Sequence, residues 1–194
     1  YWPQALGATI RRAWEGSERV LGLEHPDTLR CIASLGLDLQ GQGKYKDAEA
    51  MLRQALESFE KVLGFEDLDT LSAVNNLGVV LERQGRHTEA EAMLRRALEM
   101  REKVLGPGHP QTLHSVDNLG SALQGQGKYK EAEELYQRTL KIREKELRFE
   151  HPDTYTSLNN LGLVLGSQGK YDEAEAMYRR ALEIGEKVFG AEHP

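Results

Sequence analysis

Three residue patterns in this chain are of types that could do chemistry. The stretches Gln40-Gly41-Gln42-Gly43-Lys44 and Gln124-Gly125-Gln126-Gly127-Lys128 set a lysine behind closely spaced glycines, as phosphate-binding loops do. They lack the G-x-x-x-x-G-K-[ST] spacing, and Tyr45 and Tyr129 follow the lysines. They also close a helical stretch, whereas a phosphate loop opens one, so they read as helix ends and turns. His25, His109, His151 and His193 each precede a proline, but they lie too far apart in the chain to share an ion. No Cys-x-x-Cys or His-Glu-x-x-His spacing is present, and these histidines read as helix-start residues. Cys31 falls within a helical apolar stripe and reads as a packed thiol. Many carboxylates occur, yet none stands apart from a recurring surface pattern, and catalysis needs a unique constellation. The expectation is a non-enzyme with no catalytic residue, no cofactor and no metal.

The elements that carry these residues repeat. Gly22, Gly64, Gly106 and Gly190 share a 42-residue spacing, with Arg148 in the remaining place. Four full repeats follow, 23–64, 65–106, 107–148 and 149–190. Residues 1–22 match the second half of a repeat, and 191–194 open a further one. The chain therefore reads as one solenoid domain, a portion of a longer array. Its formal charge is −6, which gives no electrostatic footprint for nucleic acid or an anionic membrane. No apolar run approaches the ~20 residues that span a bilayer. Tyr1-Trp2-Pro3-Gln4 does not resemble a signal peptide, and a single cysteine fits a reducing compartment, so a cytoplasmic location is expected.

Each repeat reads as two helices. In the second, a first helix over Leu68–Gln84 carries Leu71, Val74, Leu77 and Leu81 on one stripe and stops at Gly85. A second helix over Thr88–Leu105 carries Ala90, Leu94, Ala97 and Leu98 and ends at Gly106. Pro26, Pro110 and Pro152 stand at first-helix starts, where a missing N–H is tolerated, and the histidines before them fall at the N-cap. Gly36, Gly78, Gly120 and Gly162 lie inside first helices, where glycine costs ~1 kcal/mol relative to alanine. Close approach of the neighbouring helix explains that cost, with Ala48, Ala90, Ala132 and Ala174 the small residues opposite. The outer face reads as solvated i,i+4 pairs: Glu49–Arg53, Glu91–Arg95, Glu175–Arg179, Glu57–Lys61, Glu99–Lys103 and Glu183–Lys187.

Asn75-Asn76-Leu77-Gly78, Leu81, Gln84-Gly85, Ala90, Leu94 and Ala97 resemble the tetratricopeptide repeat. The 42-residue form, with His-Pro-Asp-Thr at its head and Glu-Lys-Val-Leu-Gly at its tail, is similar to the kinesin light chain type. The wording of Gln168–Glu183 also resembles repeats appended to fungal nucleotide-binding immune-type receptors. The resemblance implies an all-α, right-handed solenoid whose first helices line a concave groove and whose repeats share one core.

Carried over residue by residue, the resemblance places that groove at positions which vary while the scaffold repeats. They are Arg30, Ser72, His114 and Thr156; Ala33, Asn75, Asp117 and Asn159; Leu37, Val79, Ser121 and Leu163; and Gln40, Glu82, Gln124 and Gly166. Ser34, Asn76, Asn118 and Asn160 complete the row, with Arg83 beside it. Asparagine both donates and accepts, which suits a peptide backbone. Lysine is absent from the set, so the carboxylate clamp of chaperone-binding tetratricopeptide domains is not expected. The implied function is a protein-interaction scaffold binding a peptide or partner helix, as a sensing or regulatory array of a larger protein. A kinesin light chain-like cargo adaptor and a self-associating spacer are the alternatives. The apolar second helix near the C-terminus, Ala174 to Phe189, has no following repeat in the chain, so end-to-end association is expected.

Overall fold

The computed structural model describes residue 12 and residues 15–146 and 151–189. Expectations for Arg148, Gly190, His193, residues 191–194 and most of 1–22 lie outside these. Among the described residues there are helices and no strand. They are α1 (15–21), α2 (Pro26–Gly41), α3 (Tyr45–Val62), α4 (Leu68–Arg83), α5 (His87–Leu105), α6 (Pro110–Gly125), α7 (Tyr129–Glu146), α8 (Pro152–Ser167) and α9 (Tyr171–Phe189).

The helix ends follow the local chemistry. The Nδ1 atoms of His25, His109 and His151 accept from the backbone N–H two residues on, each at 3.2 Å, and Pro opens the helix behind them. Asp67 caps α4 in the same way at 2.8 Å. Each first helix closes with the Leu-x-x-Gln-Gly-Lys/Arg wording. The Lys44 N–H reaches the Leu39 carbonyl at 2.9 Å and the Gly43 N–H reaches Gln40, a Schellman closure that requires φ of +75° at Gly43. Arg86, Lys128 and Lys170 bond Leu81, Leu123 and Leu165 in the same way.

The helices form two compact bodies, Tyr1–Val104 and Leu105–Pro194. In the first, α2 packs on α3 and α3 on α4. Leu29, Ile32, Leu52, Phe59, Leu71, Leu77 and Leu94 fill its core. In the second, α6 packs on α7, α7 on α8 and α8 on α9, around Leu119, Leu123, Tyr136, Leu158 and Ala181.

The helical glycines make room for large side chains. A Cβ at Gly36 would lie 2.9 Å from Leu52 Cγ, and one at Gly78 would lie 2.7 Å from Leu94 Cγ. At Gly120 and Gly162 the intruder is a ring, with 2.2 Å to Tyr136 Cζ and 2.7 Å to Tyr178 Cε1. The close approach expected from the sequence is thus made by the leucine or tyrosine four residues past the small alanine. The notch at Gly120 lets the Tyr136 hydroxyl donate to the Asp117 carbonyl on α6 at 3.3 Å. Burial raises the Tyr136 pKa, and the charge of Asp117 adds to that rise.

The outer charges depart from the expected i,i+4 scheme. Glu49–Arg53, Glu91–Arg95 and Glu175–Arg179 form as expected, at 2.7–2.8 Å. Lys61 instead pairs with Glu24, and Lys103 with Glu66 at 2.5 Å, because a long side chain at the helix end reaches the loop before the first helix of its own repeat. Nor is the face uniformly solvated, since Glu49 and Glu133 are mostly buried. Glu49 accepts from Gln84 at 3.0 Å and pairs with Arg86 at 2.8 Å, while Gln84 also donates to the Tyr45 carbonyl. Glu133 repeats this arrangement with Gln168 at 2.7 Å, Lys170 at 2.7 Å and the Tyr129 carbonyl. Each carboxylate thereby clamps the Gln-Gly-Lys/Arg end of the following repeat.

Two outcomes follow for stability. Gly120→Ala forces Tyr136 out of its notch and destabilises the chain by about 1–3 kcal/mol in urea unfolding. Gly166→Ala, with nothing within 4 Å of the added methyl, stabilises by up to about 1 kcal/mol through helix propensity. The second outcome concerns acid. The bond from Lys170 holds the Glu133 carboxyl below its ordinary 4.5, against the opposing effect of burial. A depressed carboxyl stabilises the fold above its unfolded pKa, and that contribution is lost as pH falls through the folded value. The melting temperature therefore drops as pH is lowered beneath 4.5, and Glu133→Gln makes that drop shallower.

Candidate interaction face of the first helices

In the Tyr1–Val104 body, α2 and α4 turn Arg30, Ser34, Leu37 and Arg83 to solvent and hold Ala33, Gln40, Ser72, Asn76, Val79 and Glu82 half-buried. In the Leu105–Pro194 body, α6 and α8 expose His114, Ser121, Thr156 and Leu163, with Asp117, Asn118, Gln124, Asn159, Asn160 and Gly166 half-buried. Each body thus brings its share of the expected positions onto one helical face, except at Asn75. That side chain is 2% exposed and sits in the α4 packing, so its amide is not offered to a ligand.

Several of these polar groups already have partners. Arg30 is held between Asp27 and Asp69, each at 2.7 Å, and its pKa is raised, first by the hydrogen bond it donates to Asp69. Its charge is therefore balanced. Arg83 lies 3.7 Å from Glu82. Ser72 accepts from Arg101 Nη2 at 3.0 Å. Asp117 receives Arg143 Nη2 at 2.9 Å and the Asn160 amide at 3.3 Å. Arg143 also donates to the Ser157 hydroxyl.

The two buried arginines are the residues that sequence reasoning missed. Arg101 and Arg143 are 4% and 3% exposed, and they occupy one register with Phe59 and Gly185. Their guanidinium groups underlie the first-helix face, reaching Ser72 on α4 in one body, and Asp117 on α6 and Ser157 on α8 in the other. Burial pushes the Arg101 pKa down. The available signal was the change from Phe to Arg at a register that otherwise packs. Among the described residues no group of three or more His, Cys, Asp or Glu could hold a metal, and no helix is long and apolar enough to cross a membrane. Cys31 is half-buried, 4.0 Å from the Ser17 hydroxyl.

A buried pair that loses one member leaves an uncompensated charge. Asp117→Ala therefore costs about 3 kcal/mol in denaturant unfolding, and most of this is recovered when Arg143→Met is added. Unchanged stability in the single variant would show that the pair does not hold the face.

Comparison with known proteins agrees with this geometry. Family models described as tetratricopeptide repeat match residues 69–145 and residues 28–69 and 154–194. No curated protein sequence matches the chain. Two solved structures of a putative kinesin light chain from Podospora anserina, with nearly identical tetratricopeptide-like repeats, are similar at 25% and 26% identity. They cover 96% of this chain and 88% of theirs, with TM-scores of 0.85 and 0.82. A Rap protein complexed with competence and sporulation factor shares the fold at 17% identity and a TM-score of 0.75, over 96% of this chain and 51% of its own. The chain belongs to the tetratricopeptide repeat family.

Proposed function

We propose that this protein-interaction scaffold binds a peptide or a partner helix along the solvent-facing row of its first helices, as a sensing or regulatory array without catalytic chemistry of its own. One observation carries this reading. At a single exposed register the residues are Arg30, His114 and Thr156, while the packing leucines behind them stay the same from repeat to repeat. Leu37, Ser121 and Leu163 vary likewise about two turns on. In the Leu105–Pro194 body, exposed Leu163 together with the Ser121 hydroxyl and the Asn118 and Asn160 amides suits an amphipathic segment, whose apolar side chains meet Leu163 while its polar groups meet the amides. With Arg30 balanced by two aspartates, a free carboxylate is a poor ligand. The Rap neighbour is solved in complex with competence and sporulation factor, which adds support for a bound partner. A cargo-adaptor role is the second reading, favoured by the likeness to the putative kinesin light chain.

Selection from a random peptide display library tests the proposal. Recovered peptides should perturb amide resonances of α2, α4, α6 and α8, and Leu163→Glu or Ser121→Arg should weaken them at least about tenfold. Arg95→Glu on the second-helix face should leave them unchanged. Binders that respond to Arg95→Glu and ignore the first-helix variants would place the site elsewhere.

A further inference from the structure

In the Leu105–Pro194 body the polarity of the first-helix row is set from beneath. Arg143 on α7 is 3% exposed; it donates through Nη2 to Asp117 Oδ2 at 2.9 Å and through Nη1 to the Ser157 hydroxyl on α8. Asp117 lies on α6, and its Oδ1 takes the side-chain amide of Asn160 on α8 at 3.3 Å. A carboxylate offers only acceptors, so the amide turns its NH2 toward Asp117 and its oxygen away. That oxygen is not buried and accepts from none of the described residues. Asn160 stands about one turn from Thr156 and one from Leu163, both exposed members of the row, with Leu163 at 55%.

The Tyr1–Val104 body lacks this relay. Asn76 holds the register of Asn160, but Ala33 stands where Asp117 would, one repeat earlier, so no carboxylate at that register orders the Asn76 amide. The charge of Asp117 is met by Arg143, and what Asn160 presents is a neutral acceptor. A neutral N–H suits it better than an ammonium group, whose lost hydration nothing there replaces. The N–H groups inside a helix are already bonded to its own carbonyls, whereas an extended segment keeps its N–H groups open.

We propose that Arg143 is a positioning residue for the row: through Asp117 it fixes the Asn160 amide with its oxygen outward, to receive a backbone N–H of an extended segment whose apolar side chain lies on Leu163. This rests on the reading that the first-helix row binds a peptide, and at this body it favours an extended peptide over a partner helix.

Display-selected peptides that perturb α6 and α8, resynthesised with one backbone N–H at a time replaced by N-methyl, test this by calorimetric titration of the full chain. With the parent, one N-methylation should weaken binding about tenfold. In Asp117→Ala/Arg143→Met neither charge is left alone and melting stays near parental. There the same N-methylation should cost less than about threefold, because the released amide turns either end to the peptide. Asn160→Ala should remove the penalty as well. An equal penalty in parent and double variant would show that the ion pair only supports the fold, and overturns the proposal. In the chain without peptide, the Asn160 side-chain NH2 should exchange with solvent about fivefold more slowly than that of Asn76 by NMR, and the double variant should lose the difference. Equal rates in the parent overturn the fixed amide. If the exchange difference is present but no selected peptide reaches α6 and α8, the peptide reading itself fails and carries the proposal with it.

Discussion

Packing between paired helices turns on a side chain that enters a space where a first helix has no Cβ. Leu52, Leu94, Tyr136 and Tyr178 each meet a glycine of their own repeat at distances that leave no room for a methyl. A helical glycine weakens the helix that contains it. Here the same missing methyl lets a leucine or a phenol ring sit against the partner helix, and the dispersion contacts and burial offset the local loss. The alanines at Ala48 and Ala90 keep the second helix close enough for this, their carbonyls lying 3.5 and 3.4 Å from the missing Cβ positions. Helix pairing, the register of the stack and the face left to solvent all follow from that contact.

Much of this was legible in the residues because helix starts, stops and stripes are local. Histidine before proline, glycine after the last apolar residue and a 3.6-residue stripe each act within a few positions, and their 42-residue recurrence removed ambiguity. The destinations of long side chains were not legible. Lys61 had Glu57 one turn away, yet it reaches Glu24, because the fold brings that loop to the helix end. Glu49 looked like a surface i,i+4 partner of Arg53, yet a helix from the next repeat arrives with Gln84 and Arg86. Asn75 shared the wording of Asn76 but turns inward, a difference of about 100° around one helix that a resemblance between families does not resolve.

Charge in this molecule therefore divides into two kinds. Clamping charges recur in register, carboxylate to Gln-Gly-cation, and join successive repeats. An individual charge such as Asp117, the partner of Arg143, occurs in one repeat, and its register carries Ala33, Asn75 and Asn159 elsewhere. The first kind makes the repeats interchangeable as building blocks. The second kind makes them distinguishable.

That distinction matters for a chain whose repeats could pair out of step. Interchangeable surfaces let a repeat stack on the wrong neighbour with nearly the same apolar burial, so apolar contacts alone set no order. The Arg143 guanidinium needs the Ser157 hydroxyl of α8 as well as Asp117, and Asp117 needs the Asn160 amide. At the Ser157 register the Tyr1–Val104 body carries Cys31 and Ala73, a weak acceptor and a methyl, and at the Asn160 register it carries Ser34 and Asn76. Stacking α6 and α7 against α4 in place of α8 would leave a buried guanidinium short of an acceptor, a penalty of about 1–3 kcal/mol that correct stacking avoids. A buried ion pair contributes little to stability when its desolvation is counted. Its effect here is to raise the energy of the misordered stack, which the helical glycines and the leucines at Leu35, Leu77, Leu119 and Leu161, the same in every repeat, cannot do.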